Sequence, residues 1–122
     1  MSTTASQKQS LGAYGERVAA RHLEQLGMVV LARNWRCDEG EIDLVLRDRD
    51  ELVICEVKTR RGTDFGTPQE AVSSAKVDRL GRLAQRWVVE TGVRPAGIRF
   101  DVVAVLAIGR GAAQVEHVRG LL

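Results

Sequence analysis

The stretch EGEIDLVLRDRDELVICEVKTRR, residues 39–61, constrains the fold of this chain most strongly. Residues 42–46 and 52–57 are apolar and have the length of strands, and the charged residues RDRD between them suit an exposed turn. The segment therefore predicts a β-hairpin centred between Arg49 and Asp50, in which the numbers of opposed residues sum to 99.

Charged residues interrupt the apolar pattern of this hairpin. In the predicted register Asp43 lies opposite Glu56 and Lys58 lies opposite Glu41, and strand alternation sends all four side chains to one face. Neighbouring carboxylates repel each other, and a hard divalent cation such as Mg²⁺ would relieve the repulsion because it prefers oxygen ligands. The alternative is a solvated face with a Glu41–Lys58 salt bridge. The same face begins apolar, which favours the functional interpretation.

A third carboxylate falls on the apolar face of the first predicted helix, residues 12–27. A turn of about 100° per residue places Glu16 beside Ala19 and Leu23. A charge in this position is either part of the same cluster or a boundary residue that pairs with a Lys or Arg. The acidic pair in the hairpin favours the first interpretation.

The rest of the pattern predicts a single α/β domain. Residues 28–35 suit a strand, and Thr67 with Glu70 forms a capping box that begins a long helix ending at Gly92. Residues 97–108 suit another strand, and residues 113–120 suit a short edge strand. We expect residues 1–10 to be a disordered tail and residues 11–122 to form one domain.

Composition excludes several classes of protein. The chain has 18 Lys and Arg against 16 Asp and Glu, so its net charge of +2 predicts no strongly basic surface, only local basic patches. Its two cysteines are too far apart for a CxxC pair. The first ten residues lack the apolar core of a signal peptide, and no later apolar run approaches the length of a membrane span. There is no phosphate-binding loop. We expect a cytoplasmic protein without membrane contact, in which Trp35 and Trp87 pack in the core.

The hairpin carries a known motif. Asp43, followed after twelve residues by Glu56-Val57-Lys58, resembles the PD-(D/E)xK signature of restriction-endonuclease-like and Holliday junction resolvase-like nucleases, with Ile42 in place of the proline. The segments GAYGERVAARHLEQLG, NWRCDEGEIDLV, EVKTRR and FGTPQEAVSSAK together resemble the YraN family of small bacterial proteins, predicted nucleases of that superfamily, over residues 12–106. This resemblance implies a restriction-endonuclease-like core, a mixed β-sheet flanked by helices in the order α-β-β-β-α-β.

The resemblance also implies a role for each motif residue. Asp43 and Glu56 are expected to bind Mg²⁺ or Mn²⁺, with the Val57 carbonyl as a further ligand. Lys58 is expected to orient the attacking water and to stabilise the charge of the transition state. Glu16 resembles the helix carboxylate that completes or supports the metal site in many relatives.

Further residues are expected around this site. Gln69, at the start of the second helix, is expected to touch it. Contacts with nucleic acid are expected from Arg33, Arg36, Arg60, Arg61 and Lys76, although solvated side chains are the alternative for each of them.

The resulting hypothesis is a metal-dependent endonuclease that hydrolyses phosphodiester bonds of DNA. Branched or otherwise structured DNA is the expected substrate by analogy with the resolvases, and a homodimer is expected because a four-way junction presents two symmetric strands. Two alternatives stay open. One is a nucleic-acid-binding module of the same fold that cleaves weakly or not at all, within a larger repair, recombination or DNA-uptake complex. The other is a structural adaptor whose charged cluster is an inert ion-pair network.

Overall fold

The computed structural model describes residues 5–61, 73–107 and 111–121. Within them the chain forms two helices and a five-stranded mixed sheet, in the order α-β-β-β-α-β-β. The helices are α1 Ala5–Gln25 and α2 Ser74–Thr91, and the strands are β1 Val29–Cys37, β2 Gly40–Asp48, β3 Glu51–Arg61, β4 Gly97–Ala107 and β5 Gln114–Val118. This α/β architecture is compatible with the predicted restriction-endonuclease-like fold, to which β5 adds an edge strand. Neither helix is long and apolar enough in the described part to cross a membrane.

The sheet has the strand order β1-β2-β3-β4-β5. Neighbouring strands are antiparallel except for β3 and β4, which are parallel and are joined through α2. The hairpin register predicted from the sequence is confirmed, with paired residues running from Leu44 and Cys55 to Asp48 and Glu51. The charged turn at Arg49, which has a φ of 59°, closes the hairpin where the apolar segments end.

Each face of the sheet is covered by one helix. Two apolar layers result, because successive residues of a strand point to opposite faces. The layer under α1 contains Ala19, Ala20, Leu23, Leu44, Leu46, Val53, Cys55, Val103 and Val105. The layer under α2 contains Ile42, Val45, Leu52, Ile54, Leu80, Leu83, Ala84 and Trp87. Trp35 meets Trp87 edge to face at the border of the second layer, with ring centroids 5.8 Å apart, so both indoles pack as predicted.

Both helices begin at residues other than those predicted. α1 begins at Ala5, upstream of the predicted start at Gly12. The predicted start followed the apolar period, but a polar segment rich in good helix formers extends a helix without an apolar face. α2 begins at Ser74, because Ser73 is the N-cap and its Oγ accepts from the Lys76 N–H at 3.2 Å. The prediction of one helix from Thr67 is therefore wrong, whereas Gly92 is the C-cap as predicted, with a φ of 72°.

Candidate active site

The two strands of the hairpin separate at the residues of the motif. The β2–β3 ladder ends at Leu44 and Cys55, one pair before Asp43 and Glu56. Beyond that point the Val57 N–H donates to Oδ2 of Asp43 at 2.8 Å. The N–H and C=O of a residue in an extended strand point to the same side, so the Val57 carbonyl also faces the gap. The Asp43 carboxylate thus lies in a fork between the strands.

An irregularity in β2 accounts for this position. Ile42 and Val45 both pack in the layer under α2, three residues apart, while Leu44 packs under α1. Simple alternation is therefore interrupted at Asp43. On the neighbouring β1 the pairing skips Asn34, whose φ of 50° is in the left-handed region where Asn is tolerated. The prediction that the charged residues of both strands share one regular face is wrong at this point of β2.

The Asp43 carboxyl group is in an unfavourable place for its charge. Burial, and then the neighbouring charge of Glu56, raise its pKa from 3.8 to about 7, and the charges of Glu16 and Glu41 act in the same direction. The hydrogen bond from the Val57 N–H opposes this shift only in part. Near neutral pH this group is therefore balanced between its neutral and ionised forms.

Glu56 has a different environment, because two ammonium groups share one of its oxygens. Oε1 of Glu56 lies 2.5 Å from Nζ of Lys76 and 3.3 Å from Nζ of Lys58. Glu56 continues the side of β3 that packs under α2, and Lys76 reaches it from the first turn of that helix. Lys76 was predicted to contact nucleic acid, but the structure places it against Glu56.

The two lysines differ in how firmly they hold their protons. Burial, and then contact with Lys76, lower the pKa of Lys58. Burial also opposes the charge of Lys76, but its hydrogen bond with Glu56 raises the pKa of Lys76 overall. Since Lys76 is the closer of the two to Glu56, it remains the counter-ion, and Lys58 is the lysine whose proton is easier to remove.

The position of Glu16 depends on a close approach of α1 to β3. A Cβ atom at Gly15 would lie 1.8 Å from Oγ1 of Thr59, so only glycine fits at this crossing. Glu16, the next residue, lines a cavity of ≈ 480 Å³ together with Lys58 and the end of β3. Its charge reaches Asp43, but no group of three or more acidic, His or Cys side chains in the described residues is close enough to hold a metal ion.

The donor set nevertheless suits a divalent cation bound by two carboxylates. Asp43 has a half-buried carboxylate with one backbone donor, and its raised pKa reflects burial and negative charge with too little compensation. The cationic contacts of Glu56 show that its oxygen is a favourable place for positive charge. Asp43, Glu56 and the Val57 carbonyl are therefore the groups that fit the predicted Mg²⁺ or Mn²⁺, with Glu16 further out.

The predicted nucleic-acid contacts fall into two groups. Arg60 and Arg61 are exposed and line the ≈ 480 Å³ cavity beside Lys58. Arg33 and Arg36 lie on β1 and form ion pairs with Glu24 at 3.9 Å and Glu41 at 3.3 Å. The pairing of Glu41 with Arg36 replaces the alternative Glu41–Lys58 salt bridge. Gln69 lies outside the described residues.

The contact between Lys76 and Glu56 is the feature of the site that the sequence interpretation missed. Ser73 as the N-cap places Lys76 at the third helical position, one turn from the start of α2. The SSAK segment contained this signal, because Ser is a preferred N-cap. The prediction started the helix upstream, at the Thr67 capping box, and therefore overlooked Ser73 as an N-cap.

Sequence comparisons agree with the resemblance of the motifs. The chain matches the family described as "Uncharacterised protein family UPF0102" over residues 15–105. A UPF0102 protein of a Nocardioides species is 59% identical over 120 residues, which covers 98% of this chain and 97% of the relative. A UPF0102 protein of Beutenbergia cavernae is 55% identical over 114 residues, which covers 93% of this chain and 97% of the relative. A UPF0102 protein of Acidothermus cellulolyticus is 47% identical over 130 residues, which covers 98% of this chain and 98% of the relative. The chain therefore belongs to the UPF0102 family, which is the YraN family that its motifs resemble.

Proposed function

We propose that this chain is a metal-dependent endonuclease that hydrolyses phosphodiester bonds of DNA in the cytoplasm. The observation that carries the proposal is the fork of β2 and β3, which brings the half-buried carboxylate of Asp43, the buried carboxylate of Glu56 and the ammonium of Lys58 together, beside a cavity lined by Val57 and Lys58. Hydrolysis of a phosphodiester needs compensation of negative charge, a positioned water and a proton acceptor. The fork supplies a candidate group for each need.

The carboxylates provide the cation site. Asp43 and Glu56 would hold Mg²⁺ or Mn²⁺ with the Val57 carbonyl, and such an ion polarises a phosphate and increases the acidity of water. Asp43 must be ionised for this role, which its raised pKa makes dependent on pH near neutrality. Its hydrogen bond from the Val57 N–H fixes the direction of the carboxylate before any ion binds.

Lys58 provides the proton acceptor and a charge for the transition state. Its Nζ lies 3.3 Å from Glu56, at the mouth of the cavity that also contains Glu16. Because burial, and then Lys76, lower the pKa of Lys58, its neutral amine forms more readily than that of an exposed lysine. The amine would take the proton of the attacking water, and the ammonium so formed would stabilise the charge of the transition state. Arg60 and Arg61 at the cavity rim would hold the phosphates on either side of the cleaved bond.

A second candidate function is binding of DNA without efficient cleavage. The observation in its favour is the 2.5 Å contact between Lys76 and Glu56, which places a protein cation where a metal ion would bind. An ion must share Glu56 with this ammonium or displace it. A chain in which Lys76 stays in place would bind DNA and contribute to a repair, recombination or DNA-uptake complex through binding alone.

A cleavage assay on linear, flapped and four-way DNA with Mg²⁺, Mn²⁺ or a chelator tests these proposals. We expect divalent-ion-dependent cleavage that is greatest on branched DNA, and its loss in Asp43→Asn and Lys58→Met. Asp38→Asn is the matched control, because Asp38 is an exposed carboxylate that pairs with Arg86 of α2 at 2.7 Å and is not part of the candidate site. Size-exclusion chromatography with light scattering would test for the expected homodimer.

The outcomes separate the two candidates. Cleavage that survives chelation, or that Asp43→Asn leaves unchanged, would contradict the nuclease proposal at this site. Binding of DNA without cleavage under any condition would support the binding module instead. Stabilisation of the wild type by Mg²⁺, absent in Asp43→Asn, would identify the cation site independently of turnover, with about 2.7 kcal/mol expected at an ion concentration 100 times Kd.

A further inference from the structure

A second cavity lies on α1, between its outer surface and the segment that leads into β5. Its volume of ≈ 380 Å³ is within the range of about 300–1,000 Å³ that is usual for small-ligand sites. Its walls come from the middle and the last turns of α1 and from Ala112, Ala113 and Val115. The motif residues of β2 and β3 do not line it, so it is distinct from the candidate active site.

The charged groups of this cavity favour an anion. Arg17 and Arg21 both line it, and they are four residues apart, so they lie on one face of α1. Neither guanidinium has a carboxylate within ion-pair distance in the described part of the chain. The described lining contains no acidic side chain. Two fixed positive charges therefore face the cavity without an internal partner.

One wall of the cavity is held by a buried network. His22 contacts the ring of His117 edge to face, with centroids 6.0 Å apart. Nε2 of His117 lies 2.8 Å from Oδ2 of Asp101, a carboxylate that is completely buried. Burial, and then His117, lower the pKa of His22, so the imidazole is a neutral hydrogen-bonding group near neutral pH. The positive charge of the cavity comes from the arginines.

The floor of the cavity is apolar. Val18, Ala113 and Val115 line it and pack against the core layer under α1, and Tyr14 adds an aromatic ring. Guanidinium groups bind phosphate oxygens in pairs, and aromatic rings and apolar surfaces accept the flat faces of sugars and bases. The combination of two unpaired arginines with an apolar, aromatic floor fits a phosphate that is attached to a nucleoside.

The position of the cavity relates it to the candidate active site. Glu16 lines the first cavity and Arg17 the second, so the two meet along α1. A rise of about 1.5 Å per residue places Arg21 about 7.5 Å along the helix axis from Glu16. The two cavities are therefore close together along α1, as contact of both with one nucleic-acid strand would require.

We propose that the cavity lined by Arg17, Arg21 and Tyr14 binds a nucleotide phosphate, that of a DNA strand extending from the candidate active site. The identity of the polymer as DNA rests on the proposed function, whereas the affinity for a nucleotide phosphate does not. Arg17 and Arg21 hold the phosphate, and Tyr14 with the apolar floor contacts the attached sugar and base. The site anchors the strand away from the bond that is cleaved.

A binding experiment in the presence of a chelator tests this site apart from catalysis. Fluorescence anisotropy would follow a labelled duplex and a labelled single strand over a range of salt concentrations, with dAMP and inorganic phosphate as competitors. The test variant is Arg17→Gln/Arg21→Gln. The matched control is Arg82→Gln/Arg86→Gln, which removes the same charge from two arginines that are also four residues apart on one helix, α2, and are already paired with Glu39 and Asp38. Arg17, Arg21 and Arg82 are exposed and Arg86 is half-exposed, so both variants are expected to keep the fold, as circular dichroism would verify.

We expect Arg17→Gln/Arg21→Gln to weaken DNA binding by about tenfold or more and to reduce the salt slope by about 2, while the control changes little. Equal losses in both double variants would overturn the proposal, because they would indicate attraction by net charge alone. Competition by dAMP at concentrations as low as those of the strand, dependent on Arg17 and Arg21, would assign the site to a free mononucleotide and overturn the strand assignment. Because no step requires cleavage, a protein that fails every nuclease assay can still pass this test, and an active nuclease can fail it.

Discussion

Asp43 and Asp101 are carboxylates of the same sheet, the first half-buried and the second fully buried, and their surroundings are opposite. Asp101 accepts two hydrogen bonds from Arg99, at 2.9 and 3.1 Å, one from the Gly120 N–H at 3.1 Å, and lies 2.8 Å from His117. Burial would raise its pKa, but these partners lower it below its usual value. Asp43 has one backbone donor and carboxylate neighbours, and its pKa rises to about 7.

The difference separates a structural carboxylate, Asp101, from one that we propose to be functional, Asp43. A buried charge with all its hydrogen bonds made stabilises the fold as long as it stays ionised. A buried charge surrounded by like charges destabilises the fold, and such groups concentrate at sites that bind something. Asp101 holds β4 to β5 and to the end of the chain, whereas the missing partner of Asp43 points to a cation from solution.

The largest effect is expected at Asp101. Asp101→Asn removes the charge that pairs with Arg99 and leaves that guanidinium and His117 with an amide in the same buried place. We expect the free energy of unfolding to fall by about 3–5 kcal/mol, as measured by urea denaturation at pH 7. Asp38→Asn, at an exposed ion pair, is expected to leave stability unchanged. If Asp101→Asn is tolerated as well as Asp38→Asn, the assignment of Asp101 as structural is wrong.

The next effect concerns Asp43 and the direction of its pH dependence. Below about pH 4 its carboxyl group is protonated in the folded and the unfolded chain alike. Between about pH 4 and 7 the unfolded chain releases the proton while the folded chain keeps it, so stability falls as the pH rises. The rise of the pKa from 3.8 to about 7 corresponds to at most about 4 kcal/mol across this window.

Asp43→Asn removes this loss and keeps an acceptor for the Val57 N–H. The variant should therefore gain stability relative to the wild type as the pH rises from 4 to 8, and it should gain nothing from Mg²⁺. Denaturation of both proteins at several pH values, with and without the ion, measures the two effects. For Asp101 we expect the opposite pH dependence of stability. Its pKa is lowered in the folded chain, so its ionised carboxylate contributes stability that is lost on acidification. A variant at residue 43 that is less stable than wild type at pH 8 would make Asp43 a second structural carboxylate.

The sequence predicted the surroundings of Asp43 better than those of Asp101. The fork residues Asp43, Glu56 and Lys58 were found because a short turn at Arg49 fixes the register of a local hairpin. Asp101 was missed because two of its partners, His117 and Gly120, lie on β5 and just after it, and their register depends on tertiary packing. A signal was present, since Arg99 and Asp101 are charged residues two apart within an apolar strand and so share a face.

The same limit applies to the fold and to the rest of the site. Hydrophobic periodicity predicted the strands and the two helices that cover the sheet. The start of α2 was misplaced because the sequence contains two capping signals, Thr67 with Glu70 and Ser73, and the structure shows Ser73 as the N-cap of α2. The break at Asp43 was not predicted, because strict alternation was assumed along β2, and the structure interrupts it opposite Asn34, which has a positive φ.

A smaller effect is expected at the crossing of α1 and β3, which brings Glu16 towards Asp43. Gly15→Ala would place a methyl group on the Thr59 side chain and move the helix outwards. We expect a loss of about 1–3 kcal/mol and a lower pKa for Asp43, followed by NMR titration, because burial and the charge of Glu16 both diminish. Gly12→Ala is the control, since a Cβ there meets no atom within 4 Å and alanine favours the helix. An unchanged Asp43 pKa in a destabilised Gly15→Ala would show that α1 plays no part in the contrast with Asp101.

The smallest effect on stability, and the sharpest on the cation site, is expected at Lys76. Lys76→Met keeps the apolar stem but removes the ammonium that lies 2.5 Å from Glu56, while Lys58 remains at 3.3 Å as a weaker counter-ion. The loss of stability should be about 1 kcal/mol, and the pKa of Asp43 should rise because the charge of Glu56 is less compensated. Mg²⁺ should then stabilise the variant more than the wild type, because no protein cation competes for Glu56. Arg82→Met, which removes an exposed ion pair with Glu39 from the same helix, should not change the response to Mg²⁺. If Lys76→Met instead abolishes stabilisation by Mg²⁺, Lys76 helps to build the cation site and does not compete with the ion. Asp43 would then differ from Asp101 in needing both a lysine and a metal ion to compensate the charges around it.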